Sequence, residues 1–589
     1  MASEKQLTEF LLPQATVVNP PQRSRKLCWA VIGAFVLAGT VYLVPSLALL
    51  LSHALPSCLH AHHSRTQLEA LCPQESSLYP QKHADLWADL DHTYGADDFK
   101  KNAIQWLGGA VRVPTVVNDQ QRPVGEDGRW EVFGPFHEYL LKVYPVVHST
   151  LKLTKVNTWG LVYEWKGTDA NSKPLLLTAH QDVVPVEQGT VDQWGHPPFS
   201  GHFDGESIWG RGSSDDKSGV IGIMTTIETL LSKNFLPTRT VVLAFGFDEE
   251  ASGFKGAASI APVLESMYGK NGYAMLVDEG GHFDELFGTV FANLAISEKG
   301  GTNTRVTVAT AGGHSSLPPE HTSIGILSRL LVELESNPLP VTLARGTPMY
   351  NTVQCYAAHG TDLPHGLRRA VVASSHSDRA LSKAQKILTA YDANFKSLIG
   401  TTQAIDLIQG GHKANALPEE AWAVVDHRIA TDSTLVAVQA ADTKRLTKLA
   451  KHFNLTFNAF GEVLAEGGSG TLTLSDAWGT SLEPAPLTPT GVNAKPSRLI
   501  SGTIRAVHAA TAGEEDGIVI APSIMSGNTD TRHYWNLTEH IFRYNHWNMS
   551  GEKTLSGVHT VNEHMRVEGF LGMIRYFTAL ILNADEADL

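Results

Sequence analysis

The chain of 589 residues is poor in cysteine and in charge, with 4 Cys and 18% Asp, Glu, Lys and Arg. Four cysteines over that length exclude a disulfide-stapled miniprotein and a Cys-rich zinc ribbon. Lys and Arg number 46 against 60 Asp and Glu, a formal net charge of −14, so no basic stripe marks a nucleic-acid partner. No G-x-x-x-x-G-K-[ST] phosphate loop occurs, no G-x-S-x-G elbow sits in a hydrolase context, and no internal repeat is present. What is there is 42% hydrophobic, enough to bury large cores, which excludes a mainly disordered or collagen-like chain.

Lys and Arg are also missing between Lys26 and Arg65, and inside that gap residues 27–51 run for 25 residues without a charge. About 20 apolar residues suffice to cross a bilayer as a helix, and a cleaved signal peptide has a shorter apolar core. Arg23, Arg25 and Lys26 precede the run, so the positive-inside rule predicts a single-pass type II anchor with 1–26 cytosolic and the remainder lumenal. Sequons at Asn454, Asn536 and Asn548 suit a secretory compartment. In an oxidising lumen Cys58 and Cys72 are candidates to pair, Cys355 reads as an unpaired buried hydrophobe, and Cys28 as a membrane-face residue. Residues 52–85, rich in His, Pro, Ser and Leu, read as a stalk in which His60, His62 and His63 are solvated.

Beyond the stalk, apolar runs at 160–165, 174–179 and 240–245 alternate with helix-like segments at 219–233 and 256–268. That alternation predicts an α/β domain on a mainly parallel sheet. After residue 290 the rhythm changes. Half-exposed strands at 304–310, 421–429 and 470–474, with helices at 324–335 and 434–452, predict an inserted α+β two-layer unit. Residues 480–498, rich in Pro and Thr, read as the return linker, and an α/β pattern resumes up to a final helix at 562–582. The expected organisation is a first catalytic segment at 86–295, an insert at 296–480 and a second catalytic segment at 481–589.

The chemistry concentrates at strand ends. LLLTAHQDVVPV ends a buried strand in His180 and Asp182, two apart and so on one side. His180 can ligate a metal while Asp182 fixes its tautomer. WGRGSSDDKSG places Asp215 after a glycine-bearing turn, where one carboxylate can bridge two cations. VVLAFGFDEEASG ends in Asp248, Glu249 and Glu250; adjacent carboxylates repel, so the cluster calls for cations. One glutamate can ligate while its neighbour works as a general base. YAMLVDEGG ends in Asp278 and Glu279. From His180 to Asp215, Glu250 and Glu279 the spacings are 35, 35 and 29 residues.

In that order the motifs resemble the co-catalytic zinc aminoacylase/carboxypeptidase metallopeptidases, most closely their fungal, vacuolar, membrane-anchored carboxypeptidase branch. HQDVVPV, GRGSSDDKSG, FDEEASG, LVDEGG, GGHSSLPP and GVHTVNEH carry the resemblance. It implies two zinc ions per subunit: His180 on one, Glu250 on the other and Asp215 bridging both. Glu279, or the adjacent Asp278, would complete the first site, and His559 the second. It further implies that Asp182 orients His180, that Glu249 is the general base, and that the Asp215–Asp216 peptide is cis. The insert would be a lid, often dimer-forming, whose His314 polarises the substrate carbonyl. Asn415 and Arg428 match lid positions that contact the substrate carbonyl and terminal carboxylate, and Arg532 a second arginine near the metals. The implied activity is hydrolysis of the C-terminal amide of short Gly-X peptides in a vacuolar or secretory lumen. An alternative is hydrolysis of N-acyl or N-fatty-acyl amino acids. A non-catalytic binding protein of the same fold would not need the full ligand set plus Glu249.

Overall fold

The computed structural model describes residues 65–119, 121–514, 517–550 and 557–589. The predicted cytosolic tail, the apolar run at 27–51, Cys28, Cys58 and the stalk histidines lie outside them. The expected single-pass type II topology is corrected: among the described residues no helix is long and apolar enough to cross a membrane. The long apolar helices Lys217–Ser232 and Val567–Glu586 instead pack on each other in the main core.

Eight strands form one sheet in the order Lys152–Val156, Gly160–Trp165, Val241–Gly246, Leu175–His180, Met275–Leu286, Ile541–Asn548, Thr289–Glu298 and Ile518–Met525. Leu175–His180 and Val241–Gly246 are buried at every position, as strands covered on both faces must be. These two, with Met275–Leu286 and Ile541–Asn548, run parallel. The sheet as a whole is mixed rather than mainly parallel, for local reasons. Asn157 and Thr158, with φ of 45° and 70°, turn the first two strands into a hairpin. The link from Trp165 to Leu175 holds no crossover helix, so Gly160–Trp165 lies antiparallel to its inner neighbour Val241–Gly246. Leu175–His180 and Val241–Gly246 end together at His180 and Gly246, and the parallel pairing of Leu175–His180 with Met275–Leu286 stops at Val277, just before Asp278 and Glu279; ligands bind at such carboxyl ends.

A second sheet of six strands has the order Thr402–Gly410, Glu420–Ile429, Gly300–Ala309, Thr471–Asp476, Thr456–Ala459 and Glu462–Ala465. Gly300–Ala309 alternates buried and half-buried residues, and its buried Val306 and Val308 meet Leu330 and Leu446 from the helices Ser323–Ser336 and Leu435–His452. Helices and sheet thus form two layers. Four helices for which the sequence predicts nothing, Pro348–His359, His365–Ser374, Asp378–Tyr391 and Ala393–Leu398, add a core of their own with Phe287 and Ile524.

Two expectations about the N-terminal region are corrected. Cys355 is not unpaired: it forms a disulfide with Cys72, with Cα atoms 4.9 Å apart. Residues 65–85 are not a free stalk. They cross the outer strand Ile518–Met525, where the Gln74 side chain accepts from the Ile520 amide at 2.7 Å and donates to its carbonyl at 3.1 Å. Gln74 thus satisfies backbone groups that an edge strand leaves open, and the crossing brings Cys72 to the helix that carries Cys355.

Candidate active site

His180 ends its strand with 1% of its side chain exposed. Its Nε2 lies 3.0 Å from Asp215 Oδ1 and 3.3 Å from Glu279 Oε1, while Nδ1 faces Asp182, 3.1 Å from its carbonyl oxygen. Asp182 does more than hold the ring. Its two carboxylate oxygens accept the backbone N–H groups of Glu249 and Glu250, each at 3.1 Å, and so fix the short 3-10 turn Glu249–Ala251. Asp215 comes from the turn that leads into the helix Lys217–Ser232, and its peptide bond to Asp216 is cis. Its second oxygen, Oδ2, lies 3.1 Å from His559 Nε2, and that nitrogen is 2.9 Å from Glu250 Oε2. Asp215 therefore has His180 and Glu279 on one side and His559 and Glu250 on the other.

The strand expected to end at Asp278 and Glu279 instead continues to Leu286, and within it the acidic pair separates cleanly. Glu279 faces His180, whereas Asp278 accepts from the Thr178 hydroxyl at 2.7 Å, inside the sheet. Neighbours on a strand point to opposite faces, so only one of them can join the cluster.

Burial sets the electrostatics of these groups. It drives Glu279 up to about 8 and Glu250 up to about 7, in each case helped by the charge of Asp215. It pushes Glu249 and Asp216 well above the usual carboxylate range, with Glu279 adding to both. Asp215 goes the other way: hydrogen bonds from His180 and His559 overcome its burial and lower it. His559 is raised to about 10 by Asp215 and Glu250. Among the described residues no Lys or Arg pairs with Asp215, Glu249, Glu250 or Glu279. The ligand atoms of His180, Asp215 and Glu250, and those of His180, Asp216 and Glu279, each lie within 4.8 Å of one another. Asp216 Oδ2 is buried without a hydrogen-bond partner. Imidazole nitrogens and carboxylate oxygens crowded together, with the acids outnumbering the two imidazoles, are a donor set that fits zinc.

The remaining predicted residues lie further out. His314 sits on an exposed two-residue strand, Gly313–His314, paired with Ala416–Leu417, so Asn415 is its neighbour on the same arm. His314 Nδ1 bonds the Ser316 hydroxyl at 2.7 Å, and none of its hydrogen bonds reaches the carboxylate cluster. Arg428 is exposed on Glu420–Ile429 with its Nε 3.1 Å from Asp426. Arg532, on Asp530–His533, lies over the Phe254 ring at 5.2 Å; burial lowers its pKa against the fields of Glu298 and Glu249, and Arg428 contributes to the lowering. The structure thus gathers His180, Asp182, Asp215, Glu249, Glu250, Glu279 and His559, puts Arg532 within the fields of Glu249 and Arg428, and among the described residues shows no hydrogen bond from His314 to that cluster.

Residues 176–583 match the model of peptidase family M20/M25/M40. The chain belongs to that family. It is 36% identical to carboxypeptidase S of Saccharomyces cerevisiae over 582 residues, 96% of this chain and 97% of that one. It is 31% identical to the N-fatty-acyl-amino acid synthase/hydrolase of Mus musculus over 81% of this chain and 87% of the other. Among solved structures it resembles an M20 family metallo-carboxypeptidase of Sulfolobus solfataricus, with TM-score 0.54 and 18% identity over 82% of this chain and 99% of that one. It also resembles human carnosine dipeptidase 1, with TM-score 0.57 and 13% identity over 87% of this chain and all of the other. The family is one of metallopeptidases, and the fold is its mixed α/β architecture.

Sequence reasoning missed two acids. Asp216 adjoins Asp215 and has a carboxylate oxygen within 4.8 Å of the ligand atoms of His180 and Glu279; the doubled acid in SSDDKS was the available signal. Glu563, four residues after His559, is fully buried beneath the site.

Proposed function

We propose that the chain is a two-zinc carboxypeptidase that removes the C-terminal residue of short peptides, of the Gly-X type. The observation that carries this reading is the two-sided Asp215, flanked by His180 with Glu279 and by His559 with Glu250, beside Glu249, which has no ion-pair partner among the described residues. His180, Asp215 and Glu279 would hold one zinc, and Asp215, Glu250 and His559 the other. When bound, such ions lower the pKa of water to about 7 and polarise a carbonyl.

Glu249 is the proton carrier in this reading. Among the described residues its carboxylate makes no ion pair, and burial raises its pKa well above the usual range, so it can accept a proton from the attacking water and deliver it to the leaving amine nitrogen. Asp182 keeps the His180 ring and the Glu249 backbone in fixed relation. Arg428 and Arg532 are assigned to the free carboxylate of the leaving residue, Asn415 to the substrate carbonyl, and His314 to the carbonyl oxygen where negative charge develops. Similarity to carboxypeptidase S supports the peptide substrate.

The similarity to the mouse N-fatty-acyl-amino acid synthase/hydrolase supports a second reading, in which the acyl group is a fatty acid and the leaving group is again an amino acid. Measuring kcat/KM for an N-blocked Gly-Leu dipeptide and for an N-oleoyl amino acid separates them. The first reading expects the dipeptide to be favoured by about tenfold or more. The reverse preference would replace the acyl group and leave the metal chemistry in place.

A further inference from the structure

The loop that brings His559 to the site also carries Glu563, whose carboxylate is fully buried. Glu563 Oε1 accepts three backbone N–H groups of the opposite turn: Gly212 at 3.0 Å, Ser214 at 3.0 Å and Asp215 at 3.2 Å. Its Oε2 takes Arg211 Nη1 at 2.6 Å, and its main-chain carbonyl accepts the Gly210 amide at 2.9 Å. The contacts continue on both sides. Arg211 Nη2 donates to the Thr560 carbonyl at 3.0 Å and the Ser214 hydroxyl to the His564 carbonyl at 2.7 Å. The strand His564–Arg566 pairs with Ser207–Trp209. Gly210 and Gly212, with φ of 144° and 85°, let the turn curl so that the amides of Gly212, Ser214 and Asp215 converge on one oxygen while that of Ser213 turns back to the Gly210 carbonyl at 3.0 Å.

We infer that Glu563 is a positioning residue that presents Asp215 and His559 to each other before any metal arrives. This deepens the metal-site reading above and rests on it. With its amide committed to Glu563, Asp215 cannot rotate its backbone away from the line between His180 and His559. Because Glu563 and His559 share one loop, the same contact fixes the distance between the two halves of the site. A carboxylate suits this place because one oxygen can accept several N–H groups while the other is neutralised by Arg211. Without Glu563 the three amides would lie buried and unpaired, and the turn would relax. Removing partners that orient metal ligands typically costs about 10–100-fold in metal affinity or activity.

The test compares two charge-neutral pairs in the full chain: Glu563→Gln with Arg211→Met, which keeps an acceptor for the three amides, and Glu563→Leu with Arg211→Met, which removes it. Zinc affinity is measured by competition with a chromophoric chelator. The Gln pair is expected to stay within about threefold of wild type and the Leu pair to weaken by about 10–100-fold. Equal affinities in the two pairs, with equal melting temperatures, overturn the inference. Amide hydrogen exchange on the metal-free wild-type chain decides the matter even where a variant fails to fold. The amides of Gly212, Ser214 and Asp215 are expected to be protected without metal, and exchange as fast as in an open loop overturns preorganisation. A wild-type chain that binds no zinc would overturn the metal reading, while the exchange result would still decide what Glu563 does.

Discussion

Asp182 shows how one buried side chain can organise a site that stability alone disfavours. Glu249 and Glu250 are adjacent acids close to Asp215 and Glu279, and their mutual repulsion would open the turn if Asp182 did not hold both of their amides. The reading of Glu249 as the proton carrier predicts that Glu249→Ala lowers kcat by about 10²–10⁴-fold while zinc content and melting temperature hold. Activity retained at wild-type level would remove Glu249 from the mechanism. A second prediction concerns His546, which is 2% exposed, bonds the Tyr544 hydroxyl through Nδ1 at 2.9 Å and stacks on Tyr576. Burial, with His508 adding, lowers its pKa from 6.5 to about 3 in the folded chain. The unfolded chain takes up a proton below about pH 6.5 that the folded one refuses. The neutral ring's contribution is therefore intact above pH 6.5 and lost as pH falls from there toward about 3. Between pH 6.5 and 5 the loss is about 2 kcal/mol at 1.4 kcal/mol per pH unit. Urea unfolding of wild type and His546→Leu at both pH values should show that difference in slope, and parallel pH dependences would contradict it.

At the scale of elements, much was legible. Buried runs such as Leu175–His180 and Val241–Gly246 announce themselves by unbroken apolar sequence; the first ends in His180 and the second leads into the turn that carries Glu249 and Glu250. Which of Asp278 and Glu279 turns inward was not legible, because the two-residue period of a strand fixes alternation but not its phase. The tie between Cys72 and Cys355 was hidden for another reason: 283 residues separate them, and only the crossing of the edge strand brings them together. Glu563 was invisible because three backbone amides, which have no sequence signature, define its place. The crossing segment makes its own prediction. Cys355→Ala should lower the unfolding free energy by about 2–4 kcal/mol, read from guanidinium denaturation, and leave kcat unchanged because the bond lies away from the carboxylate cluster. Unchanged stability would show that Gln74 and its neighbours hold the segment without the bond.

At the scale of the molecule, two strands of chain connect the sheets. Gly301 and Leu482 exchange backbone hydrogen bonds of 2.9 and 2.8 Å, and the Ala485 amide reaches the Glu298 carbonyl at 3.0 Å. Just before this crossing, Glu298 is buried against Arg543 at 3.0 Å and the hydroxyls of Thr529 and Thr531, so the segment bearing Arg532 is anchored where the two sheets meet. The proposed lid therefore contributes Arg428 from a strand directly joined to this anchor, and His314 and Asn415 from an exposed arm further out. This division matches the proposed chemistry: a fixed metal centre at the strand ends, and substrate contacts on a separate layer. The most direct test of the account is kcat/KM for an N-blocked Gly-Leu dipeptide with the full chain, before chelation, after it, and after zinc is returned. The account predicts loss of activity on chelation and recovery as zinc approaches two ions per chain. Hydrolysis that continues at full rate in the metal-free chain would contradict it.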